Sequence, residues 1–164
     1  MFFEIERYLA NNDIDVIISS YPIKNDNFQT ISISKIPYII AQKNINRLNK
    51  NIKYILSEYH SIRFDITNSF DIINNELEYS MSVSSSSVAI SMAKKDLGAV
   101  YLPILDIEKE IINNQLDFIF PNEDSFFEVY VSFHKNNLKK STINEFIDIL
   151  RKCLDKSLNN LLNK

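Results

Sequence analysis

The amino-acid sequence predicts an α/β protein whose sheet is largely parallel. Predicted strands alternate with predicted helices along most of the 164 residues, which is typical of strand–helix–strand units with right-handed crossovers. Two predicted strands, 15–19 and 99–102, are short continuous apolar runs, as expected where helices cover both faces of a sheet. A long amphipathic pattern at the C-terminal end predicts a helix that packs one face on that sheet.

In the first half of the chain, apolar residues recur at helical spacing from Phe2 to Leu9 and stop at Asn11-Asn12. A helix therefore opens the chain. Two further helices are predicted, a short one at 43–50 and one that Ser61 caps and that continues to Ile73. The apolar patterns predict strands at 15–19, 28–33, 37–41, 52–57 and 77–83.

The second half is arranged around Gly98, the only glycine. A helix at 88–95 ends in Lys94 and Lys95, cations that suit the negative end of a helix dipole. We expect Gly98 to close this helix in the left-handed conformation, because glycine reaches positive φ without steric cost. Gly98→Ala would then cost about 1 kcal/mol or more. A helix at 104–113 and strands at 116–120 and 126–133 follow.

The last helix has the clearest signal in the chain. Thr142 and Glu145 have the spacing of a capping box, so the helix is predicted to open there. Its apolar residues fall on one stripe, formed by Ile143, Phe146, Ile147, Leu150, Leu154, Leu158 and Leu161. Cys153 lies beside this stripe and is predicted to be a small buried hydrophobe.

Composition excludes several classes of protein. A hydrophobic content of 45% suffices for one domain or two small lobes. The formal charge is −3, with both signs interspersed, so the chain lacks the basic stripe of a DNA-binding surface. No apolar run approaches the roughly 20 residues that span a bilayer, and Met1–Arg7 does not resemble a signal peptide. We therefore expect a cytoplasmic protein.

Catalytic and metal sites are not predicted. His60 and His134 are the only histidines, and neither has the spacing of a metal-binding pair. No nucleophile elbow or glycine-rich phosphate loop is present. Cys153 is the only cysteine, which excludes an internal disulfide and a cysteine-cluster zinc site. We expect no enzyme activity, no cofactor and no metal.

Three strand ends rich in hydroxyl groups are candidate ligand sites: Ser84–Ser87, Tyr59–Arg63 and Ser19–Tyr21. Ligands of α/β proteins bind at strand ends beside helix N-termini, where backbone N–H groups favour anions. Arg63 would hold a carboxylate with two hydrogen bonds. Each end also has a simpler interpretation, respectively a loop with an N-cap, a capped helix with a solvated Arg63, and a turn at Pro22.

Two segments resemble the effector-binding domain of LysR-type transcriptional regulators. The first is similar to the family pattern Leu-x-x-Gly-x-Leu-Asp-Leu-Ala-Ile and reads Leu9-Ala10-Asn11-Asn12-Asp13-Ile14-Asp15-Val16-Ile17-Ile18. The second is similar to Val-x-x-Gly-x-Gly-Ile-Ala-x-Leu-Pro and reads Met92-Ala93-Lys94-Lys95-Asp96-Leu97-Gly98-Ala99-Val100-Tyr101-Leu102-Pro103. Asn12 and Lys95 stand where the family has glycine.

The resemblance implies a type 2 periplasmic-binding-protein-like fold with two lobes and mixed, mostly parallel sheets. Subdomain I would comprise 1–43 and 123–164, and subdomain II 44–122. Family members carry an N-terminal helix-turn-helix, through which they bind DNA, and a strand–helix–strand unit before the position of Met1. The chain is therefore expected to be truncated at its N-terminus, with one sheet edge left unpaired.

The resemblance also implies a function, a regulatory domain that binds a small effector between its lobes. Positions carried over from the family, together with the helix start, give the expected lining: Ser19, Ser20, Tyr59, Ser61, Ile62, Arg63, Ser84 and Ser85. A homodimer or homotetramer is expected, and no membrane partner. The alternatives are a type 2 solute-binding protein for transport and, third, an enzyme on a similar scaffold that depends on Arg63 or His60.

Overall fold

The computed structural model describes residues 2–43, 53–57, 78–121 and 125–163. The helices among them are α1 (Phe2–Ala10), α2 (Ser86–Lys94), α3 (Glu108–Ile112) and α4 (Lys140–Leu162), and a 3₁₀ turn (Ile104–Ile107) precedes α3. The strands are β1 (Ile17–Ser19), β2 (Phe28–Gln42), β3 (Lys53–Ser57), β4 (Glu78–Val83), β5 (Ala99–Pro103), β6 (Asp117–Ile119) and β7 (Phe126–His134).

Most predicted elements are confirmed within a residue or two. The helix predicted at 104–113 is instead split into the 3₁₀ turn and α3. The helices predicted at 43–50 and from Ser61 to Ile73 fall almost entirely outside the described residues.

The strands form a mixed sheet in the order β1-β7-β2-β5-β3-β4, with β6 also paired to β2. The ladders of β3 with β4 and β5 are parallel. Those of β1 with β7 and of β2 with β5 and β6 are antiparallel, so parallel pairing is less extensive than predicted. The chain divides into unit 1 (1–36 and 127–160) and unit 2 (37–126 and 161–164).

Strand β2 is one continuous strand, where the sequence predicted two, at 28–33 and 37–41. Pro37 suggested a break because proline has no N–H to donate to a ladder. The next residue restores the pattern, since the Tyr38 N–H donates to the carbonyl oxygen of Ser125 (2.7 Å). The ladder with β5 begins at the same residue, with Tyr38 opposite Pro103.

Unit 1 buries apolar residues on both faces of its strands. One cluster joins β2, β7 and α4 and consists of Ile33, Val131, Phe133, Ile143 and Ile147. The other contains Leu9 of α1 and consists of Leu9, Ile17, Ile23 and Phe28. Successive side chains at the start of β1 point to opposite faces of the sheet, which explains this division. Val16, just before the strand, packs against the first cluster, and Ile17 belongs to the second.

Unit 2 is built on β5, all five residues of which are buried. Helix α2 buries Ala89, Ile90 and Ala93, and α2 packs against β3 and β5. The small alanine side chains let the helix approach the strands closely. The prediction of a buried strand at 99–102 is therefore confirmed. The prediction that the strand at 15–19 is covered on both faces is wrong, because Ile18 of β1 is 54% exposed.

Three helices, α1, α2 and α3, end in the same hydrogen-bonded turn without using glycine. The residues in the left-handed conformation are Asn12 (φ 59°), Asp96 (φ 62°) and Asn114 (φ 53°). In each turn the backbone N–H groups of this residue and of the next one donate to carbonyl oxygens of the last helical turn, as in a Schellman motif. The six bonds are Asn12 N to Leu9 O, Asp13 N to Tyr8 O, Asp96 N to Ala93 O, Leu97 N to Met92 O, Asn114 N to Ile111 O and Gln115 N to Glu110 O.

The prediction that Gly98 closes α2 is therefore wrong. Asp96 takes the left-handed position because the Leu97 N–H donates to Met92 O (3.2 Å), which fixes the turn two residues before the glycine. Gly98 has φ 159°, at the extended limit of positive φ, and leads into β5. Asn12, which stands at a glycine position of the family pattern that this segment resembles, has the left-handed conformation that glycine favours.

We expect Asn12→Ala to lower the free energy of unfolding by about 1 kcal/mol, because alanine lacks asparagine's tolerance of the left-handed conformation. Asn12→Gly should not lower it. Urea unfolding followed by circular dichroism measures both. Asn11→Ala, on the preceding exposed residue, is the matched control and should change stability by less than about 0.5 kcal/mol. Equal effects at the two positions would contradict the assignment of the turn.

Helix α4 begins at Lys140, before the capping box predicted at Thr142 and Glu145. In the turn before the helix, the Asn137 Oδ1 accepts a hydrogen bond from the Lys139 N–H (2.7 Å) and so forms an Asx turn. Asp15 also joins this turn through Lys139 Nζ (2.8 Å) and Asn137 Nδ2 (3.3 Å). The hydrogen bond from Lys139, followed by that from Asn137, holds the pKa of Asp15 below its ordinary value.

Candidate functional site

The serine run 84–87, between β4 and the first turn of α2, is the candidate site in unit 2 that lies within the described residues. Ser85 occupies the N-cap position of α2 (φ −142°, ψ 134°), but its side chain does not cap the helix. Its hydroxyl lies 2.7 Å from that of Ser87, and the Ser91 hydroxyl donates to Ser87 O (2.8 Å). The simpler interpretation, a serine N-cap, accounts for the position of Ser85 but not for its hydroxyl.

This helix start lies at a strand end, as predicted. Ser84 follows β4 directly and is exposed, and Ser85 is half-buried. Strands β4 and β5 both run parallel to β3, so their carboxyl ends share one edge of the sheet. Backbone N–H groups at a helix N-terminus attract negative charge, and Lys94 and Lys95 lie at the opposite end of α2.

Ser19 and Ser20 lie at the carboxyl end of β1, in unit 1. Both are half-buried. The Ser19 hydroxyl donates to the carbonyl oxygen of Tyr21 (2.7 Å), which stabilises the turn after the strand. Ser19 also lies opposite Tyr130 of β7.

Tyr130 and Glu128 are polar residues near this strand end that the sequence analysis missed. The Tyr130 hydroxyl donates to the Glu128 carboxylate, and that hydrogen bond is the main cause of a raised Tyr130 pKa. Lys35 Nζ lies 3.7 Å from the other Glu128 oxygen. The alternation of polar Glu128 and Tyr130 with Val129 and Val131 was the available signal.

The other predicted site residues, Tyr59, Ser61, Ile62 and Arg63, lie outside the described residues. The four that are described fall into two pairs, Ser19 with Ser20 in unit 1 and Ser84 with Ser85 in unit 2. Within each unit the pair stands at a strand end, where the sequence analysis expected it.

A groove of about 340 Å³ lies along α2 and was not predicted. It is lined by Ser87, Val88, Ser91, Met92, Lys95 and Leu97. Val88 is 46% exposed and Leu97 50% exposed, so much of the lining is apolar and faces solvent. Met92 and Leu97 of this lining also form the hydrogen bond of the turn that closes α2.

Across residues 2–43, 53–57, 78–121 and 125–163, no group of three or more His, Cys, Asp or Glu side chains is placed to hold a metal ion. None of the helices in these segments has both the length and the apolar character needed to cross a membrane.

The strand order and the mixed sheet define an α/β fold of the type 2 periplasmic-binding-protein-like kind. Solved structures of LysR-family regulatory domains share it. The OxyR2 regulatory domain of Vibrio vulnificus has a TM-score of 0.65 at 15% identity, over 92% of this chain and 77% of that one. OxyR of Corynebacterium glutamicum has a TM-score of 0.69 at 15% identity, over 98% and 55%. MetR of Neisseria meningitidis, a LysR-family regulator, has a TM-score of 0.61 at 13% identity, over 90% and 76%.

Sequence comparison does not detect this likeness. No protein-family model matches the chain, and no curated protein matches it. The resemblance of the two segments around Asn12 and Gly98 and the likeness of the solved structures therefore lead to the same fold.

Proposed function

We propose that this chain is the ligand-sensing regulatory domain of a LysR-type transcriptional regulator. The observation that carries the proposal is the fold, which follows LysR-family regulatory domains over 92% and 98% of the chain in two of the comparisons. In such a domain an effector acts by binding one conformational state more tightly than another, typically with about 1–3 kcal/mol of coupling. The proposed domain catalyses no reaction, requires no cofactor and works in the cytoplasm.

The proposed effector is a small carboxylate or another anion. The start of α2 supports this class, because the Ser85 hydroxyl is engaged with Ser87 and does not close the helix N-terminus. Hydroxyl and N–H donors there suit an anionic group. Ser84 and Ser85 are assigned to the site on this ground, and Ser19 and Ser20 on their position at the end of β1.

The remaining proposed contacts are Tyr59, Ser61, Ile62 and Arg63, carried over from the resemblance. Arg63 would pair with the carboxylate through two parallel hydrogen bonds. The proposed lobes are 1–43 with 123–164, and 44–122. The proposed assembly is a homodimer or homotetramer.

A thermal-shift screen of small carboxylates, followed by calorimetry, tests this proposal. A true effector at 100 times its dissociation constant should stabilise the protein by about 2.7 kcal/mol. Arg63→Ala combined with Ser61→Ala should weaken its binding at least about tenfold, since a charge-assisted hydrogen bond contributes roughly 1.5–3 kcal/mol. Without ligand the variant should stay folded, because loss of the predicted Ser61 cap costs no more than about 2 kcal/mol.

Arg151→Ala is the control for loss of a guanidinium, because Arg151 lies on α4 beside Asp148. It should bind the effector normally. Unchanged affinity of the Arg63/Ser61 variant would show that the pocket is misplaced. Steady turnover of the bound compound would show that the protein is an enzyme and not a regulator. The coding sequence upstream of Met1 tests the transport alternative. An export signal there would support a solute-binding protein, and a helix-turn-helix would support a regulator.

A further inference from the structure

At the carboxyl end of β1, one face of the unit 1 strands carries three polar side chains, those of Ser19, Glu128 and Tyr130. Ser19 is the last residue of β1 and lies opposite Tyr130 in the antiparallel ladder with β7. Side chains alternate along β7, so Glu128 and Tyr130 share the face opposite to that of Val131, which packs in the cluster under α4. All three polar residues are half-buried. They form a polar group at the strand end where Ser19 is already a proposed contact.

The hydrogen-bond donors of this polar group are already engaged within the chain. The Ser19 hydroxyl donates to the carbonyl oxygen of Tyr21 (2.7 Å), and the Tyr130 hydroxyl donates to the Glu128 carboxylate. The hydrogen bond to Glu128 raises the pKa of Tyr130, so the phenol keeps its proton. A hydroxyl group has one proton to donate and two lone pairs that accept. The hydroxyl oxygens of Ser19 and Tyr130 therefore accept further hydrogen bonds but have no proton left to donate.

The Glu128 carboxylate adds a negative charge that still has unused acceptor sites. Its side chain is only 27% exposed, and an ionised carboxylate has about four lone-pair sites. Lys35 Nζ lies 3.7 Å from its Oε1, which is too far for a hydrogen bond. A carboxylate that is mostly removed from water needs charged or polar donors close by. The chain's own lysine does not close this contact, so a donor from a ligand suits the position.

We propose that Ser19, Glu128 and Tyr130 bind a primary ammonium group of the effector. An ammonium group has three N–H donors and no acceptor, which matches a set of acceptors that includes one negative charge. A carboxylate or phosphate placed there would meet only lone pairs. The inference rests on the proposed function, in which the carboxylate of the effector binds at Ser85 and Arg63. It narrows the effector to a small zwitterion, a compound that carries both a carboxylate and a primary ammonium group.

A paired thermal-shift screen on the full chain tests the ammonium site. A panel of α- and ω-amino acids is compared with the corresponding hydroxy acids, in which a hydroxyl replaces the ammonium group and the carboxylate is kept. At least one amino acid should raise the melting temperature. Calorimetry should then show that its hydroxy acid binds at least about tenfold more weakly, because charge-assisted hydrogen bonds are lost.

Two other outcomes separate this inference from the proposed function. Hydroxy acids that bind as tightly as the amino acids would overturn the ammonium site and leave a carboxylate-sensing domain in place. No binding by either set would overturn the ammonium site, and a failure of simple carboxylates to bind as well would count against the proposed function itself.

Variants assign the discrimination to Glu128. Glu128→Gln keeps the shape of the side chain and still accepts from Tyr130, so the variant should stay folded, as circular dichroism would check. It should bind the amino acid about tenfold or more weakly and so lose the preference over the hydroxy acid. Lys35→Met removes a competing ammonium group and should bind the amino acid at least as tightly as the unsubstituted chain.

Glu110→Gln is the matched control, because Glu110 Oε1 also lies 3.7 Å from a lysine, Lys94. It should leave the affinity for the amino acid unchanged. Equal losses of affinity in Glu128→Gln and Lys35→Met would mean that this ion pair only stabilises the fold, and would overturn the proposal.

Discussion

Phe133→Ala is expected to lower the free energy of unfolding by about 3–5 kcal/mol, the usual effect of removing a buried phenylalanine. Phe133 is fully buried at the centre of unit 1. Its strand, β7, lies between β1 and β2, and its ring packs with the apolar cluster under α4. The large effect follows because neighbours from two layers would border the resulting cavity and relax only partly into it.

Denaturant unfolding measures this change. Phe120→Ala is the matched control, because Phe120 is 46% exposed and contacts Phe118 edge to face; it should cost no more than about 1 kcal/mol. A loss below about 1 kcal/mol for Phe133→Ala would mean that the ring does not occupy this core.

Leu102→Ala is expected to cost about 2–5 kcal/mol. Leu102 is 1% exposed and lies in β5, which is flanked by β2 and β3. The control is Leu97→Ala just before the same strand, where the side chain is 50% exposed and the loss should stay below about 1 kcal/mol. Similar costs at the two leucines would show that β5 is not the central strand of unit 2.

Elements with a strong periodic pattern could be predicted from the sequence. The stripe of α4 repeats at helical spacing, and β5 is a continuous apolar run, so their burial is visible without tertiary information. The spacing in α1 predicted the helix but not which residues are buried, since Leu9 is buried while Ile5 is 37% exposed and Tyr8 45% exposed. The continuity of β2 was not visible, because Pro37 suggests a break locally and only its neighbours in the fold, Ser125 and Pro103, show how the ladder continues. The left-handed residue of α2 was missed for a similar reason, since hydrogen bonds to Met92 and Ala93 decide its position.

The candidate site was predictable in place but not in detail. A hydroxyl-rich segment between a strand and a helix identifies Ser84 and Ser85 as a helix start at a sheet edge. The Ser85 hydroxyl could cap the helix by accepting a backbone N–H, but it is hydrogen-bonded to the Ser87 hydroxyl instead. The pattern of residues does not show which of these two partners it takes. Cys153 was predicted to be buried but is exposed. A position beside an apolar stripe can face either the core or solvent, and the spacing alone does not decide which.

The asparagine and aspartate residues at the three helix ends also affect the chain before it folds. A glycine at each end would widen the range of backbone conformations open to the denatured chain, and fixing that range would cost about 0.4–1 kcal/mol more on folding. With Gly98 as its only glycine, the chain has less conformational freedom to lose. Asn12→Gly removes the steric cost of positive φ in the folded state but raises the conformational entropy of the denatured state, and the two effects largely cancel. The contribution of these turns to the free energy of unfolding therefore depends on the denatured state as well as on the folded one.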